Sequence, residues 1–206
     1  MKSSVLYYIH DPMCSWCWGF QKTWKTVQQP LPKDIQIRYV LGGLAPDSDK
    51  PMSEDMRRYI QSQWRKIEKR IPGVEFNDDF WRLCQPRRST YPACRAVIAA
   101  KNQNPDLEVP MIEHIQQAYY LDAQNPSDDK TLTNLAETLG LDTQQFVQDL
   151  TAKHTRQQLE DDMRLAKSLG VSSFPSLILE RDDDQQIIQI HYNDPQAILS
   201  QILTDE

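Results

Sequence analysis

The chain has 206 residues and a net charge of −6, with 29 acidic and 23 basic side chains. This length is sufficient for one large domain, or for a domain with an insertion, that buries a core without help from disulfides. The acidic balance argues against a nucleic acid or an anionic membrane surface as the main partner.

The N-terminal segment lacks the features of a secretion signal. It has one lysine and only five apolar residues in a row, at 5–9, before His10, whereas the apolar core of a signal peptide has about 7–15 residues. No window approaches the roughly 18 apolar residues of a membrane span. We therefore expect a cytoplasmic protein with no membrane partner.

Residues 5–20 combine a strand pattern with a pair of cysteines. Residues 5–9 are apolar at every position, which is typical of a central parallel strand, and an Asp-Pro pair ends the run. The motif Cys14-Ser-Trp-Cys17 follows where a new helix is predicted to begin. The sequence thus predicts a strand, a turn and a dithiol at a helix N-terminus.

A dithiol in this position is suited to thiol–disulfide exchange. The reactive species is the thiolate, and a free cysteine has a pKa of about 8.5, so the anion must be stabilised near neutral pH. The first N–H groups of a helix and its macrodipole stabilise a negative charge there. Cys14 is therefore the candidate nucleophile. Cys17 lies nearly one turn further on and is the candidate resolving thiol.

Two other interpretations of the cysteines stay open at this point. A CxxC pair can be half of a zinc site, but Cys84 and Cys94 are ten residues apart rather than a second close pair. Cys14 and Cys17 could also be ordinary buried cysteines. We expect no metal and no cofactor. For Cys84 and Cys94, the alternatives are two buried free thiols, a loop-closing disulfide or a second exchange pair.

After the dithiol, the pattern predicts a helix and a second strand. Phe20, Trp24 and Val27 recur at helical spacing, and two prolines end this helix. Residues 35–39 alternate between apolar and polar side chains before Gly42-Gly43, as in a half-buried strand. The first part of the chain is therefore expected to fold as β-α-β, with the dithiol at the first crossover.

Helical patterns dominate the middle of the chain, where the strand signals stop for about a hundred residues. Apolar residues keep a helical period as far as Pro72-Gly73, and four further helical segments are predicted at 91–102, 111–121, 132–139 and 146–150. This part of the chain is expected to be an all-helical insertion.

Strand character returns only near the C-terminus. One more helical face ends at Gly170, and a strand is predicted at 176–179. A charged turn at 181–184 connects it to a second strand at 187–190, which forms a hairpin with the first. Asp194-Pro195 then opens a final helix, with Asp as N-cap and Pro at the first helical position.

This layout resembles that of the thioredoxin-fold DsbA family. Residues 11–19, DPMCSWCWG, and 90–96, TYPACRA, are most similar to the FrnE-like and "predicted protein-disulfide isomerase" branches. The resemblance spans almost the whole chain and implies an α/β thioredoxin fold with a large all-helical insertion. It implies a thioredoxin-like domain at 1–46 and 153–206, and an inserted helical domain at 47–152.

The resemblance also implies a thiol–disulfide oxidoreductase or isomerase in which Cys14 and Cys17 alternate between a dithiol and a redox-active disulfide. Pro175 is expected to be cis and to lie, with Phe174, against this pair, where backbone groups would bind an extended substrate peptide. From the residues alone, Pro175 could also be a plain entry to the strand, where its missing N–H is harmless. The expected partner is a disulfide- or thiol-containing protein or peptide, and glutathione is a further candidate.

Other side chains are candidates for the substrate cleft. Trp16 is predicted to form a hydrophobic rim. His10 could line the cleft or tune the thiolate, or could simply end the first strand. Arg87, Arg88 and Arg95 could place positive charge near the site and hold a carboxylate, or could be solvated surface residues.

Two alternative functions remain. Glutathione-dependent isomerases or transferases share this architecture but use serine as the key residue, so Cys14 favours redox chemistry. The other alternative is a binding module without catalysis. Strongly oxidising family members carry a histidine between the cysteines, whereas this chain has Ser15 and Trp16. We therefore expect a more reducing couple.

Overall fold

The fold is built on a sheet whose strand order is β2-β1-β3-β4 in the part of the chain that the structure describes. The computed structural model describes residues 4–182 and 184–204. The strands are β1 (Ser4–His10), β2 (Ile35–Leu41), β3 (Ser176–Arg181) and β4 (Asp184–Ile188). β1 pairs parallel with β2, with Ser4 opposite Ile35 and His10 opposite Leu41. β3 is antiparallel to both β1 and β4.

β1 is apolar on both faces because both faces are covered. Leu6 and Tyr8 pack into a core with helix α1 (Ser15–Gln28) and helix α9 (Pro195–Leu203). Tyr7 and Ile9 point to the other face and pack against helix α8 (Lys153–Ser168). The predicted order of a strand, a helix that starts at the two cysteines and a second strand is confirmed in β1, α1 and β2.

Helices fill the chain between β2 and α8. They are α2 (Glu54–Arg70), α3 (Phe80–Leu83), α4 (Tyr91–Gln103), α5 (Glu108–Tyr120), α6 (Asp129–Thr138) and α7 (Thr143–Thr151), with a short 3-10 turn at Pro105–Leu107. Trp64, Phe80 and Tyr120 are among the large side chains that this region buries. The α/β thioredoxin fold with a large helical insertion is confirmed. The sequence did not predict α3, which is a single turn.

The second strand of the C-terminal hairpin lies earlier than predicted. It occupies Asp184–Ile188 rather than 187–190, because Arg181 pairs directly with Asp184. β4 is an edge strand, and residues 184–187 are exposed. Polar residues can therefore extend it, and an apolar pattern does not mark its start. Residue 183 of the predicted charged turn lies outside the described residues.

The helical region does not have a separate core. Its buried cluster also includes Met13, Leu41 and Leu159 from the elements around the sheet. The division into domains at 1–46, 47–152 and 153–206 stays a prediction. Among the described helices, none is both long enough and apolar enough to cross a bilayer.

Candidate active site

The dithiol lies at the start of α1, at the end of β1. Cys14 is the N-cap residue, with extended φ and ψ of −81° and 117°. Its N–H donates to the Asp11 carbonyl at 3.0 Å, and its own carbonyl accepts the N–H of Trp18 at 3.1 Å. The first hydrogen bond closes the turn after the strand and the second begins the helix, so the local sequence places the Cys14 sulfur at a helix N-terminus.

The two thiols differ in access. Cys14 is 7% exposed and lines a cavity of about 300 Å³, whereas Cys17 is fully buried. Both are free thiols. A substrate in the cavity could therefore reach the first sulfur and not the second.

The two thiols also differ in acidity. The neighbouring Cys17 thiol stabilises the Cys14 thiolate, and this lowers the pKa of Cys14. The N–H groups of Cys17 and Trp16 lower this pKa further, whereas burial and Asp11 oppose the effect. The sulfur accepts no capping hydrogen bond of regular geometry, so these N–H groups act mainly through their field. Burial and the interaction with Cys14 raise the pKa of Cys17 well above its ordinary value.

Asp11 is a buried carboxylate that ties the dithiol turn to the helical region. Its Oδ1 accepts the N–H of Met13 at 2.8 Å, and its Oδ2 accepts the N–H of Leu44 and the hydroxyl of Thr90, both at 2.7 Å. The Cys94 thiol donates to the same Oδ2 at 3.5 Å. Burial raises the pKa of the Asp11 carboxyl, and these hydrogen bonds oppose the shift. The carboxylate supports the turn but disfavours nearby thiolates.

The loop before β3 closes over the dithiol. The Phe174–Pro175 peptide bond is cis, as the resemblance implies. The Cys14 thiol donates to the Phe174 carbonyl at 3.6 Å. The Phe174 ring lies so close to Gly42 that a Cβ there would be 2.1 Å from the ring, so any other residue at this position would displace the ring. Pro175 is buried and does not line the cavity, whereas Phe174 does.

Helix α2 holds the dipeptide between the cysteines. The indole N–H of Trp64 donates to the Ser15 hydroxyl at 2.9 Å, and that of Trp16 donates to Gln63 at 3.4 Å. The Arg70 guanidinium lies over the Trp16 ring, 5.7 Å from its centroid. Trp16 lines the cavity, as predicted for a hydrophobic rim.

Sequence reasoning missed these three α2 contacts. The helical pattern predicted helix α2 itself, but nothing in the sequence indicated that its side chains reach the dithiol turn.

The prediction that His10 binds substrate is wrong. The His10 side chain has no exposed surface and does not line the cavity. Its ring stacks on Tyr8 at 5.0 Å between centroids, and neither ring nitrogen has a hydrogen-bond partner among the described residues. Burial lowers the pKa of His10 to about 3, so it is neutral at physiological pH. It ends the strand inside the core.

The three arginines have different environments. Arg95 is buried, does not line the cavity and forms two hydrogen bonds of 2.9 Å to the Asp47 carboxylate, so it is neither beside a substrate nor a solvated surface residue. Arg87 lines the cavity but pairs with Asp128 at 2.6 Å. Arg88 also lines the cavity.

The other two cysteines have separate partners. Cys84 is a half-buried free thiol that donates to the Ala123 carbonyl at 3.0 Å. Cys94 is a fully buried free thiol beside Asp11. Within residues 4–182 and 184–204, no group of three or more histidine, cysteine or acidic side chains is arranged to hold a metal ion.

Comparisons with known proteins agree with this architecture. Residues 7–201 match the thioredoxin family profile. The ClpXP adapter protein SpxH of Halalkalibacterium halodurans is 29% identical over 209 residues, which cover 99% of this chain and 68% of that protein.

Two solved structures are similar over most of their length. A candidate protein disulfide isomerase from Nitrosomonas europaea has a TM-score of 0.83 and 27% identity, covering 98% of this chain and 96% of that one. The cytosolic disulfide reductase DsbM of Pseudomonas aeruginosa has a TM-score of 0.71 and 26% identity, covering 90% and 89%. The present chain belongs to the thioredoxin family and is a DsbA-type thioredoxin-fold protein.

Proposed function

We propose that the protein is a thiol–disulfide oxidoreductase in which Cys14 attacks the substrate and Cys17 resolves the intermediate. The observation that carries this proposal is the asymmetry of the pair. Cys14 lines the cavity at a helix start and has a lowered pKa, while Cys17 is buried and has a raised pKa. Only one of the two sulfurs is thus both accessible and readily ionised, as a nucleophile must be.

In the reducing direction, the Cys14 thiolate attacks one sulfur of a substrate disulfide. The substrate S–S bond breaks, one thiolate leaves, and a mixed disulfide forms. Cys17 then attacks the Cys14 sulfur, its proton passes to the second departing sulfur, and the Cys14–Cys17 disulfide closes. Two electrons move from the protein to the substrate. The oxidising direction is the reverse.

The proposed substrate is a disulfide- or thiol-containing protein or peptide. Trp16 and Phe174 are among the aromatic side chains that line the cavity, and Ser172 and Ser173 line it from the loop before β3. Pro175 contributes through the backbone that it fixes, since its ring is buried. An extended peptide would therefore contact the loop backbone with its reactive cysteine above Cys14.

Serine variants of the two cysteines test this proposal. With insulin as the substrate and dithiothreitol as the reductant, Cys14→Ser should abolish catalysis, because serine is a poor nucleophile toward disulfides. With insulin and no dithiothreitol, pre-reduced Cys17→Ser should retain the attack and accumulate a mixed disulfide at Cys14, visible by mass spectrometry. If both variants catalysed the reaction as fast as the wild type, the proposal would be wrong.

The same variants distinguish a glutathione-dependent mechanism. DsbM has been solved with GSH. If glutathione is the working partner here, it can resolve the mixed disulfide in place of Cys17. Cys17→Ser would then retain turnover with glutathione as the only reductant, whereas it would lose that turnover if Cys17 is the resolving group.

The curated relatives favour a second candidate function, delivery of a client protein to the ClpXP protease. SpxH proteins are named as ClpXP adapters. An adapter requires binding surfaces rather than redox chemistry. Binding of purified ClpX, unchanged in the double variant Cys14→Ser/Cys17→Ser, would support this function. A lack of binding by both wild type and variant would exclude it.

We propose a cytoplasmic location, supported by the similarity to the cytosolic DsbM. Fractionation of the source cells, with the reduced state of Cys14 and Cys17 measured by alkylation, tests this. Assignment to the FrnE-like branch also stays a proposal.

A further inference from the structure

The cavity beside Cys14 has the opposite charge to the molecule as a whole. Two arginines, Arg87 and Arg88, are among the described residues that line it, and none of those residues is acidic. The chain itself carries a net charge of −6. A cationic wall in an acidic protein favours an anionic group at that position.

The two arginines are not equivalent. Arg87 donates to the Ser127 carbonyl at 2.5 Å and to the Asp128 carboxylate at 2.6 Å, so its charge is already paired. Arg88 is half-buried, and its guanidinium forms no hydrogen bond or ion pair with any residue that the structure describes. A partly desolvated guanidinium without a counterion is poorly satisfied in the absence of ligand.

The rest of the cavity limits what the anion can be attached to. Much of its wall is apolar, with Met13, Met52 and Ile60 among the lining side chains. A highly charged ligand such as a polyphosphate would meet only one unpaired cation there. A small carbon chain that bears one carboxylate, with a sulfur above Cys14, matches both the apolar wall and the single charge.

We infer that Arg88 forms a carboxylate-binding subsite, so that the protein prefers disulfides and thiols with a carboxylate close to the reactive sulfur. This inference rests on the proposed function, because it assumes that Cys14 reacts with the sulfur of the same molecule. The planar guanidinium can bind a carboxylate through two parallel hydrogen bonds. Arg88 is a specificity-determining residue in this account and takes no part in bond breaking.

Three matched disulfides test the inference. Dithiodipropionate carries carboxylates, bis(2-hydroxyethyl) disulfide is neutral, and cystamine carries ammonium groups at similar distances from sulfur. Pre-reduced protein is mixed with each in excess, and closure of the Cys14–Cys17 disulfide is followed by acid quench, alkylation and mass spectrometry. The rate constant of Arg88→Gln is divided by that of the wild type for each compound, which cancels the intrinsic reactivity of the disulfide.

For dithiodipropionate, we expect the variant to react about five to ten times more slowly than the wild type. The ratio should stay near one for the neutral disulfide and be at or above one for cystamine. Arg88→Lys keeps the charge but loses the bidentate hydrogen bonding. Its rate constant with dithiodipropionate should lie between those of Arg88→Gln and the wild type. Lys33→Gln is the matched control. It removes one exposed positive charge from the loop before β2, at the opposite end of the sheet from Cys14.

The outcomes separate the subsite from the proposed function. If Arg88→Gln changed the three rate constants equally, or none of them, the subsite would be refuted while the oxidoreductase function stood. If the wild-type protein reacted with none of the three disulfides but reduced insulin, the subsite alone would be refuted. If it reacted with neither, the proposed function would be refuted and the subsite with it. Thermal unfolding of each variant shows whether it is folded, and Arg88→Lys provides a second test if Arg88→Gln is not.

Discussion

His10 is a buried histidine whose neutrality depends on the folded state. Its pKa is lowered to about 3 by burial, whereas an unfolded chain has a histidine pKa near 6.5. The unfolded state therefore binds a proton below pH 6.5 that the folded state does not bind. By linkage, this lowers the free energy of unfolding as the pH falls from about 6.5 toward 3.

Replacing His10 by phenylalanine should remove this acid sensitivity. Between pH 7.5 and 5.5, the wild type should lose about 1.4 kcal/mol more of its free energy of unfolding than His10→Phe does. Phenylalanine also removes two buried ring nitrogens that have no partner among the described residues. Urea unfolding at the two pH values measures this difference. An equal loss in both proteins would show that the pKa of His10 is the same in the folded and unfolded states.

The role of a single residue could be predicted where it depends on the local backbone. It could not be predicted where it depends on a partner far away in sequence. The spacing of Cys14 and Cys17 and the helix start locate the dithiol from the sequence alone. The arginines look alike in the sequence, yet Arg87 and Arg95 are neutralised by acids 41 and 48 residues away. These pairings depend on how the helices pack, so the sequence could not distinguish Arg88 from the other two.

At the scale of elements, helix α2 supports the start of helix α1. Trp64 is fully buried in the helical region, and its indole N–H reaches the hydroxyl of Ser15, the first residue of α1. The position of Ser15, the residue after Cys14, thus depends on a residue 49 positions away in sequence. The inserted helices contribute directly to the geometry of the dithiol.

A double-mutant cycle measures this contact. Ser15→Ala removes the acceptor and Trp64→Phe removes the donor, although Trp64→Phe also leaves a cavity. We expect a coupling free energy of about 1 kcal/mol in urea unfolding, the typical value for a hydrogen bond of this kind. The reduction potential should shift in both single variants. If the change in the free energy of unfolding of the double variant equalled the sum of the changes in the two single variants, the hydrogen bond would contribute nothing.

Most elements were predictable because hydrophobic periodicity reports which face of a helix or strand is buried. The exceptions are local structures with little burial pattern. Helix α3 is too short to show a period, and β4 is an exposed edge strand. The contacts between α2 and α1 belong to neither class. These contacts form only when segments that are far apart in sequence pack together, and the local sequence carries no signal for them.

For the whole molecule, the balance of charges around the dithiol sets the relative stability of its two redox states. The helix start and the Cys17 thiol favour the Cys14 thiolate, but burial and Asp11 oppose it, and no histidine lies between the cysteines. Strong oxidants of this kind owe their high potential to a stabilised reduced form. That stabilisation is limited here.

The oxidised protein should therefore be the more thermostable form. We expect its Tm to exceed that of the reduced form by a few degrees, since about 1 kcal/mol corresponds to roughly 2–4 °C in a chain of this size. Calorimetry of the two forms at the same pH, with the reduced sample kept under dithiothreitol, measures the difference. A higher Tm for the reduced protein would indicate a strongly oxidising couple.

The ionisation of Cys14 tests the central claim most directly. The thiolate absorbance of the reduced protein is titrated against pH, and the rate of alkylation at Cys14 is followed in parallel by mass spectrometry. The account predicts that Cys14 titrates below the ordinary value of about 8.5 and reacts before Cys17. It also predicts a higher Cys14 pKa in Cys17→Ala, which lacks the neighbouring thiol that stabilises the thiolate. A Cys14 pKa at or above 8.5, or faster alkylation of Cys17, would contradict it.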